Sequence, residues 1–343
     1  MKNPKIVFTR PYHAELQTTE LPDAPVLREN EVLAEMDYTV VSGGTERACI
    51  TGSPNTSQHF PMSLGYCGVG RVKAVGDRVS SVKPGDRVLV YHGIHARYNI
   101  RGEDEITKVE DDTLSSLEAS FAIIASMGLG GVRKLELELG ESAMVFGLGL
   151  LGMFSVQFLH LSGAYPLIAA DLNEDRRKQA LSLGADYAFD PADPDFVKHV
   201  MDVTGGKGVR AAVEVTGVSK AMLQALECSS FMGRIALLGC TRVSDTAIDY
   251  YQQVHRPGVR LIGAHNFVRP KHDSYPHHWT HHDDCRCILA LTAAGKLNVR
   301  DMVSRVVSPA DAEEIYDQLC NDPKFPLGTV FDWNLLGEEE KPC

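Results

Sequence analysis

Apolar positions along the 343-residue chain change their spacing near residue 120. Before it, short runs rich in β-branched residues, Lys5 to Thr9, Val32 to Val41, Gly68 to Val75 and Arg87 to Tyr91, are punctuated by Gly, Pro and Asp and predict strands and turns. From Leu117 to Leu135 the spacing is helical, with Gly128, Gly130 and Gly131 close together, which predicts a packed helix crossing between domains. Ala143 to Phe146 has the length of a strand buried on both faces of a parallel sheet. A helix follows from Leu150 to Leu161 and stops at Gly163; a second apolar run, Pro166 to Ala170, ends in Asp171. The alternation continues with helices Asn173 to Leu183 (Asn173 as N-cap, Gly184 at C′), Phe196 to Val203 and Lys220 to Cys228, and strands Arg210 to Val215, Ile235 to Leu238 and Val259 to Ala264. A helix from His281 to Ala294 comes next, and Ser308 to Trp333 gives one more helix and a strand expected to return to the first domain.

Length suits two cores better than one. With 44% hydrophobic and 23% charged residues, disordered and fibrous classes drop out. A net charge of -11 without a basic stripe argues against nucleic acid or an anionic membrane as partner. No apolar run is long enough to span a bilayer and the N-terminus lacks a signal-peptide core, so a cytoplasmic protein is expected. The eight cysteines are scattered with no CxxC pair, as suits reduced thiols. The polar tail Gly337 to Cys343 is expected to be disordered.

The strand, glycine loop, helix, strand and acid in the order Ala143 to Asp171 suit a dinucleotide. Gly147 allows the tight turn, Gly149 lets the backbone approach a pyrophosphate, and Gly152 lets helix and strand pack closely. Leu150 and Leu151 open the helix, whose unpaired N–H groups face the anion. Asp171 is placed to accept from ribose hydroxyls and to repel a 2′-phosphate, which favours NAD over NADP; Arg176 either lies over the adenine or softens that preference.

The run GYCGVGRVKAVGDRVSSVKPGDRV (residues 65–88), followed by GLGLLG, resembles the medium-chain alcohol dehydrogenase/reductase superfamily, and the similarity spans nearly the whole chain. Glu214-Val215-Thr216-Gly217 and Gly233 to Gly239 add to it. The resemblance implies an α/β protein, a GroES-like β-rich catalytic domain (1–123 and 268–343) plus a Rossmann doubly wound parallel-sheet domain (124–267). It further implies that Thr216, Leu238 and Gly239 lie under the nicotinamide and its ribose, that His265 and Asn266 reach the nicotinamide end, and that the protein is a homodimer or homotetramer.

The departures from the family pattern matter as much. Zinc-dependent members carry a cysteine in a CGxD-type segment and a histidine in a GHE segment; this chain has Gly43-Gly44-Thr45-Glu46 and Gly65-Tyr66-Cys67. The third ligand falls among Ala122 to Ile124, and the four-cysteine structural lobe is missing. No metal is therefore expected. By resemblance Thr45 starts a proton relay, or alternatively caps a turn. Tyr66 stands where a metal ligand would and either holds the reacting oxygen or fills the space. His92, after Gly85-Asp86-Arg87-Val88, lines the substrate pocket as the base, or is a surface histidine. Glu46 and His95 are second-rank candidates.

The histidine-dense segment Lys271 to Asp284 has three readings: a metal site, a substrate contact, or a solvated loop with Thr280 and Asp283 as a capping box. Trp279 is similar in setting to the YPxxW segment of sugar-oxidising members, including glycoside 3-dehydrogenases. Three functions stay open. The first is a zinc-independent NAD-dependent dehydrogenase of a sugar, glycoside or polyol. The others are a quinone or enone reductase and an inactive nucleotide-binding relative.

Overall fold

Four-residue runs that are buried at every position, Ala143–Phe146 and Leu167–Ala170, can only be central strands covered on both faces. The computed structural model describes residues 1–337, so the tail beyond Gly337 lies outside the described residues. In chain order the strands are β1 (Lys2–Arg10), β2 (His13–Glu20), β3 (Glu31–Val40), β4 (Gly68–Val75), β5 (Arg87–Val90), β6 (Tyr98–Gly102), β7 (Ile106–Lys108), β8 (Ala143–Phe146), β9 (Leu167–Ala170), β10 (Tyr187–Phe189), β11 (Val209–Glu214), β12 (Ser229–Leu237), β13 (Arg260–Gly263), β14 (Arg305–Val307) and β15 (Thr329–Asp332). They fall into two compact units, Met1–Ile123 with the described part of Cys285–Cys343, and Ile124–Asp284.

In the first unit a sheet runs β14-β15-β3-β4-β5-β7, with β6 also on β3, and β1 and β2 form a separate hairpin. All its pairings are antiparallel except β14 with β15. Ile6, Phe8, Val32, Val88, Phe331 and Trp333 meet in one core. Each such large side chain contributes roughly 1.5–3 kcal/mol by leaving water. The strand expected to return late in the chain is β15, whose Val330 pairs with Val40 of β3.

The second unit holds a six-stranded sheet, β10-β9-β8-β11-β12-β13, parallel throughout. Ranked by chain position this is the order 3-2-1-4-5-6 of a dinucleotide-binding sheet, with a switch point at β8 and β11. Helices Leu150–Leu161, Glu174–Ser182, Phe196–Val203 and Ser219–Cys228 connect the strands. Asn173 caps the second of these by accepting from the N–H groups of Asp175 and Arg176.

Two expectations are corrected. The helix expected from Leu117 to Leu135 is two helices, Ser116–Ala119 and Ala122–Arg133. Segment 268–284, expected in the first domain, belongs to the second unit. Asp284, fully buried, accepts from Arg133 Nε at 2.7 Å and Arg269 Nη1 at 2.6 Å, and Arg133 stacks 3.6 Å over Trp279. Burial pushes the Asp284 carboxyl up, partly offset by the two guanidiniums. Gly130 is small because a Cβ there would collide with the Arg269 guanidinium. Among the described residues no helix is long and apolar enough to cross a membrane.

Candidate functional site

The second unit gathers its sequence-predicted residues at the C-terminal ends of its strands, where open parallel sheets bind ligands. Gly147 follows β8 in the left-handed region at φ 89°, and a Cβ there would sit 2.7 Å from Thr216 Cγ2. A Cβ on Gly152 would run into the Gly147 carbonyl, so this position sets the spacing of helix and strand. Gly149 is the N-cap of helix Leu150–Leu161, and nothing lies within 4 Å of where its Cβ would be. That open space beside the free N–H groups of the first turn is what an approaching pyrophosphate requires.

Asp171 follows β9 and borders a cavity of about 240 Å³ that Phe146, Thr216, Lys220 and Gln224 also line. Its Oδ2 accepts from Leu148 N at 2.7 Å and its Oδ1 from Asn173 N at 2.8 Å. A carboxylate has about four acceptor positions, so capacity remains for ribose hydroxyls. Arg176 does not line this cavity. The neighbouring Arg177 holds the strand end instead, donating to the carbonyls of Asp171 and Leu172. At the end of β11, Glu214 accepts from the N–H groups of Thr216 and Gly217 and from the Thr216 hydroxyl. Burial pushes the Glu214 carboxyl up against those bonds. Leu238 and Gly239 are tied to the Glu214 carbonyl. Past β13, His265 accepts from Phe267 N at its Nδ1, with Asn266 between them. These residues fit a nicotinamide dinucleotide.

In the first unit, helix Gly43–Ile50 carries Thr45, exposed, and Glu46, buried. Ser42 holds the N-cap position without a side-chain cap bond; it donates its N–H to Glu46 Oε1 at 2.8 Å and brings its hydroxyl 2.5 Å from the Tyr66 hydroxyl. Burial pushes the Tyr66 phenol up, reinforced by Cys67 and Glu46 and offset in part by hydrogen bonds from Ser42 and Thr45. The raised phenol keeps its proton near neutrality, so Tyr66 has an O–H to donate. His92 donates its backbone N–H to the Tyr66 carbonyl at 3.0 Å, so the two segments run side by side. Its ring is about half-buried, and its Nδ1 lies 2.7 Å from Glu105 Oε1.

Glu46 and His95 are placed elsewhere. Both are fully buried; Glu46 Oε1 lies 3.2 Å from His95 Nε2, and Oε2 accepts from Tyr316 at 2.7 Å. His95 Nδ1 lies 2.8 Å from Thr39 Oγ1, which also accepts from Trp333 Nε1. With its carboxylate occupied, Glu46 fixes Ser42 and the core and does not meet substrate. Sequence reasoning missed Ser42, Tyr316 and Glu105; only Ser42 left a local sign, an N-cap residue four before a glutamate.

In the histidine-dense segment, Asp283 N donates to Thr280 Oγ1 at 3.1 Å, and Ser274 joins the Asp283 carboxylate to Thr280 N at 2.9 Å, so the helix cap closes through a third residue. His278 stacks on Tyr275, and His281 Nδ1 lies 3.2 Å from Ser126 Oγ.

Zinc takes thiolate, imidazole or carboxylate ligands. At the family's ligand positions this chain has Gly43, a protonated phenol at Tyr66, and the buried apolar Ala122 and Ile123. Cys67 bonds to the Val40 carbonyl, and burial pushes its thiol up. Among the described residues no group of three or more His, Cys, Asp and Glu side chains is placed to hold a metal. The donor set does not fit a catalytic zinc.

Comparison with known proteins agrees with this architecture. The family model described as alcohol dehydrogenase GroES-like domain matches residues 28–134, and that described as zinc-binding dehydrogenase matches 151–276. The chain is 30% identical to an L-threonine 3-dehydrogenase of Pyrococcus furiosus over 90% of its own length and 92% of the relative's. It is 24% identical to a D-guloside 3-dehydrogenase of Escherichia coli over 81% and 80%. A zinc-binding dehydrogenase from Sinorhizobium meliloti 1021, solved bound to NADP, shares the fold at a TM-score of 0.81 with 19% identity over 97% of this chain and 99% of that one. With its GroES-like unit, its parallel dinucleotide-binding sheet and relatives matched nearly end to end, the chain is an oxidoreductase of the medium-chain dehydrogenase/reductase superfamily.

Proposed function

We propose that the protein is an NAD-dependent dehydrogenase that oxidises a secondary hydroxyl of a sugar, glycoside or polyol without the usual catalytic zinc. The carrying observation is that Ser42 bonds the hydroxyl of Tyr66, which stands at one of the family's ligand positions, and that His92 is tied to the Tyr66 backbone in the first unit. The bound nicotinamide supplies the hydride acceptor. The protein supplies the rest: Tyr66 holds the substrate oxygen by donating its hydroxyl, Thr45 and Ser42 hold Tyr66, and His92 takes the hydroxyl proton. The names of relatives support a hydroxyl substrate, and the guloside enzyme supports a glycoside. A homodimer or homotetramer in the cytoplasm belongs to the same proposal.

Steady-state NAD⁺ reduction over sugars, glycosides and polyols, by protein assayed for zinc, tests this. Turnover only with zinc added, or reduction of quinones alone, rejects it. For the cofactor, Asp171 supports NAD, while Lys220 on the same cavity favours the 2′-phosphate of NADP. Titration of both decides. Tighter NAD binding is expected, with the gap narrowed in Asp171→Ser; tighter NADP binding gives the role to Lys220.

A further inference from the structure

The β5–β7 register sets Val90 opposite Ile106, which brings the residues just after β5 against those just before β7. Tyr91 N donates to the Glu105 carbonyl at 2.9 Å, and one residue on, His92 Nδ1 lies 2.7 Å from the Glu105 carboxylate. His92 is in the left-handed region at φ 56°, an uncommon conformation for a residue with a side chain, which turns its ring back over Tyr91. The rings stack with centroids 3.6 Å apart and planes 27° from parallel. Backbone, stacking and a carboxylate thus fix one imidazole, where a surface histidine would need none of them.

From this geometry we infer that Glu105, which touches no reacting atom, is the positioning residue for His92; the inference rests on His92 being the base proposed above. Donation from Nδ1–H to the carboxylate selects the tautomer with its lone pair on Nε2. As the substrate O–H bond breaks, His92 Nε2 would take the proton, and a bound nicotinamide would supply the acceptor for the carbinol hydride, so that the substrate is oxidised as the cofactor is reduced. The carboxylate steadies the imidazolium that results, as the third group of a catalytic triad does.

The test compares Glu105→Ala, Glu105→Asp, His92→Ala and the double variant in the full-length protein, by kcat, KM, NAD affinity and ring-nitrogen NMR of His92. Expected is a kcat about 10- to 100-fold lower in Glu105→Ala, at or below the low end of the ~10²–10⁴ that a base supplies. KM and NAD affinity should hardly change, Glu105→Asp should recover much of the rate, and the His92 spectrum should lose its Nδ1–H preference. The double variant should be no slower than His92→Ala, since the two act as a unit. If His92→Ala is slow but Glu105→Ala keeps both rate and tautomer, the positioning role is overturned and the base stands. If His92→Ala is as fast as wild type, the base reading falls and this inference with it, whatever the Glu105→Ala spectrum shows.

Discussion

Two of the histidine–glutamate pairs in the first unit, His95 with Glu46 and His92 with Glu105, lie in surroundings that make them different devices. His95 and Glu46 are 0% and 1% exposed and spend every contact on the interior: Thr39, Tyr316, the Ser42 N–H and, through Thr39, Trp333. His92 and Glu105 are 40% and 28% exposed; His92 sits on the turn after β5, tied to the Tyr66 carbonyl, and Glu105 just before β7. The same two residue types build a core in one place and, in the function proposed above, a proton acceptor in the other. Accessibility decides which, because a base must reach a proton outside the protein's own network.

The comparison breaks most visibly through kinetics. His92→Ala should lower kcat by about 10²–10⁴-fold with NAD affinity almost unchanged. A His92→Ala enzyme with near wild-type kcat would make the exposed pair ornamental. Glu46→Ala should act on stability, removing the acceptor from Ser42 N and the Tyr316 hydroxyl and the partner from His95, at a cost of about 3 kcal/mol or more. Denaturant unfolding measures it; an unchanged midpoint would show that the sealed network holds nothing.

A smaller effect sharpens the contrast through pH. Burial raises Tyr66, Cys67 and Tyr316 above their ordinary 10.0, 9.0 and 10.0, with nearby acidic groups adding to it. The folded state thus keeps protons that the unfolded chain releases, so stability is whole below about pH 9 and declines as pH climbs beyond it. Tyr316→Phe should cost about 1 kcal/mol near neutrality through the lost bond to Glu46, and should flatten the alkaline decline. An equally steep alkaline loss in that variant would exclude Tyr316 as a source.

What could be read in advance divides on the same line. Ala143–Phe146, helix Leu150–Leu161 and Asp171 stand out because buried parallel strands and a glycine loop write themselves into neighbouring residues. β2 did not, since His13–Glu20 mixes polar residues along its length, and β6 and β7 are too short for any period to show. The partner of His92 was hidden too: Glu105 is thirteen residues away and meets it only through the β5–β7 register. Glu46 reads as a second-rank catalytic candidate in the sequence, where nothing shows that the helix buries it and leaves the neighbouring Thr45 exposed.

The pairing of Val40 with Val330 also governs the order of assembly. The second unit is one unbroken stretch, Ile124–Asp284, so a ribosome delivers its whole sheet before β15 exists. The first unit must wait with one edge of β3 uncovered, exposing amides and the apolar faces that Phe331 and Trp333 later cover. A chain released short of β15 would carry a complete parallel-sheet unit attached to a sheet with exposed strand edge and core, which makes the last strand the step on which a soluble yield depends.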